Sequence, residues 1–280
     1  MRRLSALAAL GLLTMAPGVA SSPAVTAPWQ LERSDVLTIR SPDGHAYRVL
    51  VAWPEGEPPA GGWPLLWMLD GEDNFPIAAT TARRLARAGA RSGIGPGLIV
   101  AIDSGPLARR VFDYTPAAPD YAIPAGAPAS GLPTGGADIF LRFIEQQVRP
   151  QIVARWKIDA SRQTLMGHSF GGLLALHALA KGAPFSRYVA VSPSFWFGNG
   201  LVAREVEAMA PAPGKRLLAA SGDSEGGPTK GDSEGDRVAA LFTTHGVEAQ
   251  FRLLPGHSHG STMMAMMTDG IATAFGTESK

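Results

Sequence analysis

The 280-residue chain contains no cysteine. A disulfide-stapled scaffold is therefore excluded, as is a lipid anchor on cysteine, and stability has to come from an ordinary core. Long apolar runs are also missing. The one near the N-terminus, residues 4–15, is too short to anchor the chain across a bilayer, and no later stretch reaches the ~20 residues a spanning helix needs. Nor is there an excess of charge of one sign, with 25 Lys and Arg against 24 Asp and Glu. Such a balance leaves no electrostatic footprint for nucleic acid or an anionic membrane. Metal-ligand spacing is absent too, apart from a thin His257, His259 and Asp223 grouping, and no internal repeat is found.

At the start of the chain, Arg2 and Arg3 precede the apolar run and Gly18-Val19-Ala20 follows it. A basic start, a short apolar stretch and small residues form the pattern of a secretory signal peptide, with an amphipathic or buried N-terminal helix as the alternative. Cleavage is expected after Ala20, or after Ala27. The expected organisation is then a signal peptide at 1–20, a polar leader at 21–35 and one domain at 36–280, exported to the periplasm or secreted. Loss of Arg2 and Arg3 leaves 23 basic against 24 acidic residues, a net charge of about −1.

Within the domain, residues 36–40 and 47–53 flank the turn sequence Ser41-Pro42-Asp43-Gly44 and read as a hairpin. The apolar runs 64–71 and 97–103, which close on the acidic Asp70 and Asp103, read as buried parallel strands, with a helix at 78–90 between them. Residues 104–136, rich in Pro, Gly and Ala, form an irregular excursion. Next comes a helix carrying Phe140, Ile144, Val148 and Ile152 on one face, whose last turn Pro150 should disturb. Strands at 163–167, 188–192, 215–221 and 249–254 then alternate with helices at 171–181, 202–209, 236–245 and 261–275. This alternation predicts an α/β fold of the α/β-hydrolase type, a mostly parallel sheet covered by helices on both faces after an opening antiparallel hairpin.

The segment Gly167-His168-Ser169-Phe170-Gly171 matches G-x-S-x-G between an apolar strand and a helix rich in small residues. Glycines there permit the sharp turn that lifts a serine hydroxyl above the sheet, whereas a glycine-rich turn in a nucleotide-binding crossover would need no serine. A serine nucleophile requires a base, and in this fold the base follows the last strand. His259 is assigned, with His257 open as the alternative and otherwise a pocket-lining or loop-stabilising residue. His45, His168, His177 and His245 fit structural roles better, although His168, next to the nucleophile, also counts among the residues lining the substrate site. The acid is expected in the loop after the penultimate strand, where Glu225 is assigned and Asp223 is the alternative. The oxyanion is assigned to the backbone amides of Phe170 and of Glu72, or of the neighbouring Gly71.

The strand end Met68-Leu69-Asp70-Gly71, the segment Arg110-Val111-Phe112-Asp113-Tyr114-Thr115-Pro116, the elbow and His259-Gly260 occur in that order. In this the chain resembles the esterase family that includes the enterobactin esterases, and most closely its periplasmic IroE-type members. The resemblance implies hydrolysis of a catecholate trilactone siderophore or its ferric complex, without a cofactor. It also implies that Arg110 contacts an anionic substrate, unless it is paired structurally with Asp113. Two departures stand out: Glu225 occupies a position where the periplasmic members lack an acid, and Phe170 replaces a frequent tyrosine. A general carboxylesterase, an acyltransferase and a ligand-binding protein on a hydrolase scaffold are the competing readings. Oligomeric state is not legible.

Overall fold

The structure, a computed structural model, describes residues 27–127, 129–226 and 232–277. The expected signal peptide and residues 21–26 of the expected leader lie outside the described residues. By packing, the chain divides into Met1–Leu31 and Glu32–Lys280, and all helices and strands described here belong to the second unit.

Strands β1 (Ser34–Arg40) and β2 (Ala46–Ala52) pair antiparallel across the predicted turn. They form one edge of an eight-stranded sheet of order β1-β2-β4-β3-β5-β6-β7-β8 among the described residues. From β4 (Leu98–Asp103) through β3 (Trp63–Leu69), β5 (Ile158–His168), β6 (Arg187–Val191), β7 (Arg216–Gly222) and β8 (Glu248–Leu254) every pairing is parallel. β3 reads Trp-Pro-Leu-Leu-Trp-Met-Leu and every residue in it is buried, because helices cover both faces of a parallel sheet and leave no solvent side for polar alternation. The mixed eight-stranded sheet flanked by helices is the α/β-hydrolase arrangement expected from the sequence.

Helix α1 (Gly71–Ala88) follows β3, and α2 (Leu107–Tyr114) follows β4. The next helical stretch comprises α3 (Ala137–Phe143), a π turn at Ile144–Val148 and α4 (Arg149–Val153). α5 (Phe170–Ala180) follows β5, α6 (Leu201–Glu207) follows β6, and α7 (Asp232–Thr244) follows β7. The chain ends with α8 (His259–Ala265) and α9 (Met267–Phe275). α5 is apolar all round, and its residues 170–179 are buried because it packs on the sheet on one side and under α6 on the other. His177, buried in its last turn, faces Glu205 at 2.8 Å and Asp138 at 3.1 Å, joining α5 to α6 and α3.

Four expectations need correction. α1 begins at Gly71, seven residues earlier than expected: the glycine takes the first position, where an amide needs no intrahelical acceptor, and Pro76 is accommodated inside the helix. The excursion contains α2, a short amphipathic helix that buries Val111, Asp113 and Tyr114. Pro150 disturbs the helix upstream rather than at its end. Its ring removes a donor and crowds the carbonyl four residues back, and the backbone widens into the π turn. The last helix is broken at Met266 into α8 and α9.

Candidate active site

The carboxyl ends of the parallel strands bring the chemistry to one edge of the sheet, as open α/β sheets do. Ser169 stands between β5 and α5 with φ 60° and ψ −117°, a conformation that L-residues rarely adopt. The turn can be this tight because of Gly167, where a Cβ would lie 2.5 Å from the backbone of Gly171. Residues ending two other strands are also left-handed, Asp70 after β3 with φ 54° and Ser192 after β6 with φ 42°.

Ser169 Oγ lies 3.1 Å from His259 Nε2, and His259 Nδ1 lies 3.0 Å from Glu225 Oε2. A carboxylate oxygen only accepts, so Nδ1 carries the proton and Nε2 presents its lone pair to the serine hydroxyl. Glu225 is buried, and its other oxygen accepts from Ser192 Oγ at 2.6 Å and from the Gly222 amide at 2.6 Å. Thr262 Oγ1 continues the chain, 2.6 Å from Ser192 Oγ and donating to the His259 carbonyl at 2.9 Å.

The alternatives to these residues lie elsewhere. Asp223 is exposed and accepts from the Gly256 amide at 2.8 Å, which closes the loop. His257 lies 3.1 Å from Ser261 Oγ, the side chain that caps α8, and its carbonyl accepts from the Ser224 amide at 3.1 Å. It is therefore a loop residue. Neither is joined to His259 or Ser169.

His168 lines the cleft described below, and its Nε2 donates to the His259 carbonyl at 2.7 Å. Burial, reinforced by the neighbouring His259, pushes its pKa down to about 4, so the ring is neutral through the physiological range. Phe170 and Glu72 occupy the first turns of α5 and α1, where backbone amides have no intrahelical acceptor and the helix dipole favours negative charge. The Glu72 side chain is exposed and pairs with Arg48 at 2.7 Å.

Arg110 is not paired with Asp113. Arg109 takes that carboxylate at 2.9 Å, one helical turn apart, while Arg110 reaches across to Asp70 with Nε to Oδ1 at 2.5 Å and Nη2 to Oδ2 at 2.8 Å. The Asp70 carboxylate holds the Arg110 pKa above its ordinary value despite the opposing effect of burial. A cleft of about 450 Å³ runs past these groups to His168 and Gly260. Its lining includes Asp70, Glu72, Asp73 and Asp103, together with Leu107 and Met264, which are exposed apolar side chains. Among the described residues no cluster of His, Asp and Glu could hold a metal ion, and no helix is long and apolar enough to cross a membrane.

Asp70, Tyr114, Ser192 and Thr262 are site residues that sequence reasoning missed. The first two were within reach, since Asp70 ends an apolar strand and Tyr114 belongs to the segment that carried the family resemblance. Ser192 and Thr262 gave no signal, because a serine after a strand and a threonine in a helix are ordinary there.

The chain is similar in sequence and fold to known esterases. The sequence model of the family described as "Putative esterase" matches residues 42–266. The chain belongs to this family. A siderophore triacetylfusarinine C esterase of Aspergillus fumigatus is 38% identical over 193 residues, 65% of this chain and 62% of that one. The ferri-bacillibactin esterase BesA of Bacillus subtilis is 27% identical over 247 residues, 83% of this chain and 86% of that one. Among solved structures, the siderophore hydrolase EstA from Aspergillus nidulans superposes with a TM-score of 0.74 at 25% identity, covering 89% of this chain and 97% of its own. The chain spans less than two thirds of the length of the Aspergillus fumigatus relative.

Proposed function

We propose that this member of the esterase family is a serine carboxylic-ester hydrolase that cleaves the ester or lactone bonds of a siderophore. The observation that carries the reading is the continuous hydrogen-bonded line from Ser169 through His259 to the buried Glu225. In this mechanism His259 Nε2 takes the serine proton as Oγ attacks the carbonyl carbon, and the resulting oxyanion is held by amides in the first turns of α5 and α1. Collapse of the tetrahedral intermediate breaks the ester bond. His259 gives its proton to the leaving alkoxide, and the acyl-enzyme remains. Water, deprotonated by the same nitrogen, then releases the acid. Glu225 holds the Nδ1 proton in place and stabilises the imidazolium formed in each half-reaction.

The siderophore assignment is supported by the relatives, whose names specify siderophore esters of both fungal and bacterial origin. A general carboxylesterase is the second reading, favoured by a cleft whose arginine already has a carboxylate partner and whose rim bears apolar side chains. The N-terminal pattern of residues 1–20 supports export, so the same proposal places the enzyme in the periplasm or outside the cell.

Hydrolysis of p-nitrophenyl butyrate, enterobactin and triacetylfusarinine C is to be compared for the protein and its Ser169→Ala variant. Much faster serine-dependent cleavage of a siderophore is the expected result. Equal or greater turnover of the simple ester would reduce the assignment to a general esterase, and no serine-dependent turnover would leave a ligand-binding protein.

A further inference from the structure

The even charge balance of the whole chain conceals a local excess. In the second half of α1, Arg83 and Arg87 stand four residues apart on one face, and Arg33, just before β1, joins them. With Pro54, Glu55 and Pro96 these arginines line a cleft of about 190 Å³. It lies beside the amino end of β4, into which Pro96 leads, whereas Ser169 follows the carboxyl end of β5. Because β4, β3 and β5 run parallel, the cleft and the candidate active site are at opposite edges of the sheet.

Arginines elsewhere on the surface have close carboxylates. Arg216 takes Glu248 at 2.9 Å, and Arg252 takes Asp269 at 3.0 Å. Among the described residues neither Arg83 nor Arg87 has a carboxylate within ion-pair distance. Arg33 has Glu32 and Glu55 near it, but each is 3.8 Å away, too far for a hydrogen bond, and both are exposed. Arg33 Nε is buried and has no hydrogen-bond partner. Burial, together with the charges of Arg33 and Arg87, holds the Arg83 pKa below its ordinary value against the opposing effect of Glu32.

Helix capping does not explain this group. A cation in the last turn of α1 favours the carboxyl end of the helix dipole, which accounts for Arg87 but not for Arg83 one turn earlier, nor for Arg33 on another segment. Arg33 is moreover fixed in place. Its backbone is left-handed with φ 47°, and its carbonyl accepts from the Trp53 amide at 3.1 Å and from Arg83 Nη2 at 2.9 Å. The three cations are thus held together without an anion among them.

We propose that this cleft binds a phosphoryl group or a similar compact oxyanion through Arg33, Arg83 and Arg87. A guanidinium presents paired N–H donors that match two oxygens of such an anion, and a dianion between the three cations offsets their mutual repulsion. The site does not depend on the esterase reading, because none of its residues belongs to the line from Ser169 to Glu225.

The full protein is titrated at low ionic strength with inorganic phosphate, against sodium chloride at matched ionic strength, and followed by calorimetry and by melting temperature. Phosphate should bind and raise the melting temperature of the wild type where chloride does not. Arg83→Gln and Arg87→Gln should each weaken phosphate binding at least about tenfold, since each removes a charge-assisted contact. Arg84→Gln takes the same charge from an exposed position of α1 outside the cleft lining, and it should bind phosphate as the wild type does. A short-chain phosphatidic acid is the second probe. Binding at least about tenfold tighter than that of inorganic phosphate, and weakened by Arg87→Gln, would assign the cleft to a lipid headgroup. Equal or weaker binding would assign it to free phosphate or a soluble phosphate monoester. No response beyond that of chloride would overturn the proposal, and so would equal weakening by Arg84→Gln and Arg87→Gln, which would make the arginines an ordinary solvated basic surface.

Discussion

In the proposed mechanism Glu225 is the acid, and its surroundings explain why a glutamine would not substitute. The side chain is fully buried and accepts from Ser192 Oγ, the Gly222 amide and His259 Nδ1, so all three neighbours donate and the carboxylate answers each as an acceptor. A glutamine has only one accepting oxygen. If that oxygen keeps the Gly222 amide, its NH2 faces His259 and favours the tautomer with the proton on Nε2, which can no longer accept from Ser169. Glu225→Gln is therefore expected to lower kcat on p-nitrophenyl butyrate by about 10³-fold, with little change in KM. Steady-state kinetics decides it, since a loss below tenfold would mean that His259 is oriented without the carboxylate.

At the scale of elements, the strand ends carry the strain. Ser169 holds its hydroxyl toward His259 with a positive φ, and such a conformation costs about 1–3 kcal/mol in a residue other than glycine. Glycine adopts it freely, but it loses about 0.5–1 kcal/mol through the entropy of the unfolded chain. Both Ser169→Gly and Ser169→Ala are expected to abolish turnover, yet the glycine variant should be the more stable by about 1 kcal/mol. Urea unfolding of the two measures it, and an alanine variant at least as stable as the glycine one would show that the elbow is unstrained. The same elements show what was legible. β3, β4 and the elbow could be read because burial on both faces dictates continuous apolar runs, and because a tight turn beside a packed helix dictates glycine at 167 and 171. α2 could not be read, since it is eight residues long, carries Arg109, Arg110 and Asp113, and buries the last of these against Tyr47, brought from elsewhere in the chain, beside Arg109 of the same helix. Ser169, His259 and Glu225 were legible because each follows a strand in the order the fold demands. The residues bracing them act through contacts far apart in sequence, such as Tyr114 with Asp70 and Thr262 with Ser192, and local pattern carries no trace of those.

For the whole molecule, the half-buried neutral His168 links stability to pH. Its folded pKa of about 4 lies below the ordinary value of 6.5, so between these values the unfolded chain binds a proton that the folded chain refuses. Stability is therefore complete above pH 6.5 and is lost as pH falls toward 4. The full loss is on the order of 3 kcal/mol, which for a domain of this size is roughly 5–10 °C of melting temperature. Asp43 adds a smaller loss at lower pH, because hydrogen bonds from Arg109 and Ser41 hold its pKa down to about 2 and its contribution fades only below the usual carboxylate range. The two effects separate in His168→Asn. Asparagine has an amide N–H to offer the His259 carbonyl but no proton to titrate, so the variant's melting temperature should stay level from pH 6.5 to 4.5 where that of the wild type declines. Differential scanning calorimetry across this range reads the difference. Parallel curves for the two proteins would mean that His168 is protonated in the fold, and the decline would then have to come from other groups.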